Sequence, residues 1–319
     1  MKASCIISLV LIVLANVVPP AQADDLADCL SIIEDKARLS CYDDLGNKIN
    51  EVPQDIEPQH SLIENRMEQE SLISFSEFAI TPHKPNYFLP VTYNNTPNFD
   101  KFDSGDLQHV EVKFQLSFKV PLVKDLIIEN THLWFAYSQL AFWQMYNRDS
   151  SSPFRETNYE PEIIWAFHTD NELFGFRNSL NTLSLNHQSN GLSDPNSRSW
   201  NRLIAEFILE KDNYLFSFRP WYRIPSSKEN DNNPDIDEYL GYGEFAGLFK
   251  YKDHLSTMML RNNLRSEDNR STVELTYTFR FSKHIKGIAQ YFNGYGESLI
   301  DYDHRNHRLG IGILLTDWL

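Results

Sequence analysis

The sequence predicts an all-β fold, a transmembrane antiparallel β-barrel of about twelve strands preceded by a small helical N-terminal extension. Three features predict it. Long segments alternate between apolar and polar residues, so that each carries one apolar face and one polar face. Several of them reach about ten residues or more, nearer the length at which a strand crosses a bilayer than the ~5–6 residues of a globular strand. Aromatic residues gather near segment ends, as in WFAYSQLAFWQMY (134–146) and RPWYRI (219–224), where interfacial girdles sit.

The chain opens MKASCIISLVLIVLANVVPPAQADD. It has one basic residue, an apolar run from Cys5 to Val18, the helix-ending Pro19 and Pro20, and Ala21-Gln22-Ala23 as a small-x-small cleavage site. Residues 1–23 therefore read as a secretory signal peptide, and Asp24 as the first mature residue. The apolar run falls short of the ~20 residues that a spanning helix needs, which argues against a membrane anchor. No later segment reaches that length either, so a membrane location requires a barrel. With 41% hydrophobic and 13% aromatic residues, the 319-residue chain has ample apolar material for one large domain or a closed barrel. Its formal charge of -15 argues against nucleic acid as a partner.

Residues 24–45 place Leu26, Leu30, Ile33 and Ala37 at roughly helical spacing. Cys29 and Cys41 remain after the leader carries Cys5 away, and a structural disulfide is expected in an oxidising compartment. Residues 46–69 are acidic and apolar-poor, with Pro53 and Pro58 as breakers, and read as a linker. The barrel is then assigned to residues 70–319.

Within it the even positions Val110, Val112, Phe114, Leu116, Phe118 and Val120 are apolar, while Glu111, Lys113, Gln115, Ser117 and Lys119 are polar. Val273, Leu275, Tyr277, Phe279 and Phe281 alternate with Thr272, Glu274, Thr276, Thr278 and Arg280 in the same way. Strands are expected near 71–80, 107–121, 131–145, 159–168, 179–189, 199–211, 213–224, 237–251, 254–263, 271–282, 284–296 and 306–319. The segments 237–251 and 254–263 alternate poorly.

This parity frames the segment NHQSNGLSDPNSRSWN (186–201). Leu183 and Leu185 make odd positions lipid-facing, and His187 and Ser189 continue that parity. Leu203, Ala205, Phe207 and Leu209 place Asn201 on the same outward side. Polar groups on a lipid face lose water and gain nothing from hydrocarbon. Two readings remain open: a position in the headgroup layer, where polarity is free, or chemistry. His and Ser two apart on one strand share a face, so the imidazole can take the hydroxyl proton, and Asn201 across the hairpin can orient the ring. No G-x-S-x-G elbow occurs, which excludes an α/β-hydrolase scaffold.

HQSNGLSDPNSRSWNR (187–202), with SSPFRETNYEP (151–161), NPDI (233–236) and GYGESLIDY (294–302), resembles the outer membrane phospholipase A family of Gram-negative bacteria over roughly residues 70–319. The resemblance implies a twelve-stranded barrel bearing Ser189 as nucleophile, His187 as general base and acid, Asn201 as orienter and the Gly191 amide as oxyanion donor. It implies hydrolysis of phospholipid and lysophospholipid acyl esters (phospholipase A1/A2), calcium dependence, a cell outer membrane location, and an inactive monomer that becomes active as a homodimer. The implied calcium ligands are the Leu192 carbonyl and Ser197 hydroxyl of one subunit and Ser151 of the partner subunit. Few anionic ligands make such a site weak. Asp194 serves the metal through water or caps a turn.

A second calcium position of the family falls at Asn232, where a carboxylate is usual, with Asp231 one residue earlier. DNNPDID (231–237) is not an EF-hand, because Ile236 replaces the required Gly and Tyr242 the terminal Glu. Gln139 lies on lipid-facing parity among Leu133, Phe135 and Tyr137. It is either a rim residue or, by the resemblance, a dimer contact supported by Tyr137, Thr157 and Tyr159. His304 and His307 read as loop residues.

A passive porin and a soluble secreted β-sandwich binding module remain as alternatives. The porin needs a hydrated lumen, whereas inward charges such as Glu111/Lys113 and Glu274/Arg280 suggest a blocked one.

Overall fold

The structure, a computed structural model, describes residue 29 and residues 32–50, 61–74, 79–101, 107–126, 131–227, 229, 231–282 and 285–317. The leader expected over residues 1–23 lies outside them. The chain divides into two compact units, Met1–Gln59 and His60–Leu319.

In the first unit, helix α1 (Asp35–Asn50) has Asp35 in its first turn, where a negative charge complements the helix dipole. Cys41 on this helix is disulfide-bonded to Cys29, with the Cα atoms 5.6 Å apart. The helix runs past residue 45 to Asn50, into the stretch expected as linker. Its lone Gly46 costs only about 1 kcal/mol in a helix, and the first true breaker is Pro53.

The second unit begins with helix α2 (Leu62–Ser74), which replaces both the end of the expected linker and the strand expected near 71–80. Ser61-Leu62-Ile63-Glu64 is a capping box: the Glu64 amide donates to Ser61 Oγ at 2.8 Å and the Ser61 amide to Glu64 Oε2 at 3.3 Å. Arg66 and Glu70 pair one turn apart at 2.8 Å. Ile63 is fully buried against Ile208, Leu215, Leu248 and Leu255, and Lys119 Nζ donates to Glu70 Oε2 at 2.8 Å.

Twelve long strands follow: β1 (Asn86–Asn94), β2 (Val110–Lys124), β3 (Thr131–Trp143), β4 (Phe154–Leu173), β5 (Phe176–Ser189), β6 (Ser199–Lys211), β7 (Tyr214–Ile224), β8 (Gly243–Tyr251), β9 (His254–Asn262), β10 (Ser271–Arg280), β11 (Lys286–Gly294) and β12 (Asn306–Thr316). Each pairs antiparallel with its neighbour in sequence, and β12 returns to β1, so the sheet closes. A two-residue bridge, Thr81–Pro82, adds to the edge of β2. Closure rules out the β-sandwich alternative.

The first strand lies at Asn86–Asn94 because its Pro90, which weakens a sequence-based strand assignment, falls at a register shift between Leu89 and Thr92 where no ladder amide is needed. The segment expected as a strand over 237–251 starts instead as the short helix α3 (Ile236–Leu240). Its Ile236 and Leu240 pack on Trp200, Ile204, Trp221 and Leu299, and β8 begins only at Gly243.

Parity holds around the ring. Leu116, Phe118, Leu185, Leu203, Phe207, Leu275, Tyr277, Leu309 and Ile311 are exposed on the outer face, while Glu111, Lys113, Arg155, Glu156, Asn186 and Arg308 are buried inside. The lumen is crossed by ion pairs. Arg155 binds Glu111 and Asp301, and Arg308 binds Glu111 and Glu297, whose other partner is Lys113. At one end the strands turn over two residues, at 174–175, 212–213 and 252–253; at the other they join through longer loops, including 144–153, 190–198, 225–242 and 295–305.

Truncating Ile63→Ala removes a fully buried side chain and should cost about 2–5 kcal/mol of helix docking. Limited proteolysis within residues 61–74 should accelerate while the barrel itself stays resistant. Unchanged cleavage would show that the buried contact does not hold the helix.

Candidate active site

Strands β5 and β6 form a hairpin whose register pairs His187 with Asn201 and Ser189 with Ser199. Alternation sends Leu183, Leu185, His187 and Ser189 outward, while Ser184, Asn186 and Asn190 are buried on the inside. His187 Nδ1 donates to Asn201 Oδ1 at 2.8 Å. With Nδ1 carrying the proton of the neutral ring, Nε2 is the basic nitrogen. Ser189 stands two residues along on the same face, so a hydroxyl, an imidazole and an amide come together on the outer surface of the barrel.

The inner side of this hairpin is held firmly. Arg202 donates through Nη2 to Asn186 Oδ1 at 2.8 Å and lies 4.1 Å from the Trp200 ring, whose Nε1 donates to Gln188 Oε1 at 2.8 Å. Asn186 Nδ2 in turn donates to Glu162 Oε1 at 2.6 Å and Glu160 Oε1 at 2.9 Å, linking β4 to β5. These paired groups lock the registers that set the outer constellation.

The loop 190–198 joins the two strands. Gly191 has φ +68°, and a Cβ there would stand 3.0 Å from Tyr159 Cε2, so both backbone and space call for glycine. Leu192 and Asp194 are exposed, and Ser197 is half-buried. Ser151 lies exposed on the separate loop 144–153 with φ +57°.

Asn232 is hydrogen-bonded through both ends of its side-chain amide. Its Nδ2 donates to Ser197 Oγ at 2.8 Å, and its Oδ1 accepts the Ser199 amide at 3.0 Å. Asn233 Oδ1 accepts the same amide at 3.1 Å, and Asp231 is engaged by Arg223 at 2.7 Å. Among the described residues no three His, Cys, Asp or Glu side chains converge as a metal site. The donors that do suit a hard cation here are neutral oxygens, the Leu192 carbonyl and the Ser197 hydroxyl, which fits calcium in a weak site.

The four residues expected at a dimer contact lie on adjacent strands beside Ser189. Gln139 pairs with Tyr159, Tyr159 pairs with Ser189, and Thr157 lies two residues from Tyr159 on β4. Tyr137 Oη donates to Gln139 Oε1 at 3.3 Å. Residue parity alone does not reveal that these strands abut the hairpin of His187 and Ser189; the ring order does. His304 and His307 do not form a site, since His304 bonds the Thr96 carbonyl and His307 meets the Tyr291 ring.

The family model described as phospholipase A1 matches residues 63–315. The chain belongs to the phospholipase A1 family. Among its relatives, phospholipase A1 of Salmonella typhimurium is 37% identical over 267 residues, covering 81% of this chain and 87% of that protein. The Escherichia coli phospholipase A1 is 36% identical over the same shares. The solved outer membrane phospholipase A from Escherichia coli superposes with a TM-score of 0.72 at 34% identity, covering 78% of this chain and 97% of its own. A Salmonella typhi outer membrane phospholipase, solved as a dimer with bound calcium, matches with the same TM-score and identity and 98% of its own length. Phospholipase A1 membership and the closed ring thus agree with the expected twelve-stranded barrel.

Sequence reading missed Asn190 and the Asn232–Ser197 tie. The first is hidden because it sits beside Ser189 yet points inward; the second joins residues 35 apart in sequence. Gly191→Ala should lower esterase turnover by roughly tenfold, since a left-handed backbone costs about 1–2 kcal/mol for an L-residue and the added Cβ crowds the Tyr159 ring. Full activity in a correctly folded variant would show that the loop backbone is free to move.

Proposed function

We propose that this protein is a calcium-dependent outer membrane phospholipase that hydrolyses acyl esters of phospholipids and lysophospholipids at the outer surface of its barrel. The observation that carries the reading is the His187–Asn201 bond on the lipid-facing side of the hairpin, with Ser189 in the same outward row. A polar trio there meets its substrate without the lipid leaving the bilayer. Family membership supports the same chemistry. The leader, residues 1–23, directs export, the Cys29–Cys41 disulfide staples helix α1, and the long loops face outward as in barrels of this class.

In the reaction, Ser189 Oγ attacks the ester carbonyl while His187 Nε2 takes its proton. His187 then returns that proton to the departing lyso-lipid oxygen, leaving the acyl group on Ser189. Water, deprotonated by His187, releases the fatty acid and regenerates the hydroxyl. Asn201 keeps the imidazole in the tautomer that exposes Nε2, and the Gly191 amide donates to the oxyanion. The Leu192 carbonyl and Ser197 hydroxyl, with Ser151 of the partner subunit, would hold calcium, and Asp194 assists through water. A bound calcium ion supplies Lewis-acid polarisation of the ester carbonyl. Asn232 acts as a tie on Ser197 rather than as a ligand. Gln139, with Tyr137, Thr157 and Tyr159, forms the contact that makes the active homodimer, because an amide in hydrocarbon gains most from a polar partner.

Fatty-acid release from detergent-dispersed phospholipid tests the reading. Ser189→Ala should lose ~10⁴-fold in kcat or more, and a chelator should abolish release by the unaltered protein. Retained activity in Ser189→Ala would sink the nucleophile assignment. Gln139→Ala should weaken calcium-driven dimer cross-linking while leaving the monomer folded; equal cross-linking would remove Gln139 from the interface.

A further inference from the structure

Asn190 directly follows the proposed nucleophile and points the opposite way. Its side chain is 3% exposed, on the luminal side of the strand end, while Ser189 faces out. Every polar atom of that side chain is spent on the loop that follows. Oδ1 accepts the Arg198 amide at 2.9 Å and the Leu192 amide at 3.3 Å. Nδ2 donates to the Asn196 carbonyl at 2.9 Å and reaches Glu156 Oε2 at 3.5 Å. The Asn190 backbone amide also donates to the Arg198 carbonyl at 3.0 Å.

These bonds fall at particular places. The Leu192 amide lies next to the Gly191 backbone and on the residue whose carbonyl is the proposed metal donor. The Asn196 carbonyl and Arg198 amide bracket Ser197 on its two sides. One buried amide therefore grips the loop on both sides of its two proposed cation donors, and the grip comes from inside the barrel, away from substrate. The Ser197 hydroxyl itself accepts from Asn232, so the residue is held through its backbone neighbours by Asn190 and through its side chain by Asn232.

We infer that Asn190 is a positioning residue that pre-arranges the Leu192 carbonyl and Ser197 hydroxyl for calcium before the metal arrives. The inference rests on the phospholipase reading and deepens it. A cation site built from neutral oxygens gains little from charge, so its affinity depends on how little the loop must reorganise on binding. Amide chemistry at residue 190 is required: a carboxylate would put an acceptor oxygen in place of Nδ2, facing both the Asn196 carbonyl and Glu156 with no proton to offer either. Alanine would leave the Leu192 and Arg198 amides without their side-chain acceptor.

The test is a titration of purified full-length protein with terbium, read by tryptophan-sensitised luminescence, and with calcium, read by dimer cross-linking. It compares the unaltered chain with Asn190→Ala, Asn190→Asp and Asn190→Ser. Loss of the clamp should raise both metal midpoints about tenfold in the alanine and aspartate variants, on the scale of one to two net hydrogen bonds. Serine, which keeps an acceptor for the Leu192 amide, should fall between them and the unaltered chain. Turnover at saturating calcium should recover to within a few-fold, and heat-induced mobility shift on gels should report an intact barrel in all variants. Midpoints equal to the unaltered chain's, whatever happens to turnover, would overturn the positioning role alone. Absence of metal binding by the unaltered chain would overturn the calcium reading along with it.

Discussion

Hydrocarbon offers no hydrogen bonds to a peptide group, and the rest of this structure follows from that. A strand in a bilayer must find every backbone partner in another strand, so the sheet has no tolerable edge and closes on itself, β12 onto β1. Closure with a side-chain period of two then divides the strand residues into those that face lipid and those that face the lumen, except at bulges such as the one that leaves both Arg155 and Glu156 buried. Leu116, Leu185, Leu203 and Leu309 carry the apolar outside, and Glu111, Arg155 and Arg308 can be charged only because they are inside.

The lumen is held by reciprocal pairing. Arg155 and Arg308 share Glu111, while Glu297 is shared by Arg308 and Lys113, and these residues come from β2, β4, β12 and the loop after β11. Such pairs add little net stability over an apolar filling, but losing one partner strands a buried charge. Slipping any of these strands by one residue would turn its charges into lipid and its leucines inward. The network thus works as a register lock, with charged pairs spanning the lumen. Helix α2 occupies interior space near the short-turn end, anchored by Ile63 and by Glu70 on Lys119.

The register lock is what makes a surface site possible. His187 meets Asn201 because β5 and β6 are aligned to the residue, and that alignment is enforced from behind by Arg202, Asn186, Glu160 and Glu162. In the proposed function the outer face needs no cleft, since the substrate would be the medium around it. What does need support is the loop 190–198, which has no lipid-facing strand to stiffen it, and three asparagines supply it: Asn190 from within and Asn232 and Asn233 from the neighbouring loop.

The sequence by itself determined the barrel, its outward and inward faces and the outward placement of His187, Ser189 and Asn201, because a period of two is a local property written in consecutive residues. It misplaced β1, where Pro90 sits on a bulge that only the partner strand reveals, and it passed over α2, although the Ser61–Glu64 capping box was there to be read. The tertiary structure alone decided that Gln139, Tyr159 and Ser189 form one row across three strands, that Asn232 serves Ser197, and that Asn190 clasps its own loop. Those facts depend on which strands are neighbours and where a loop folds back, distances that close in space between residues far apart along the chain, and no local pattern encodes them.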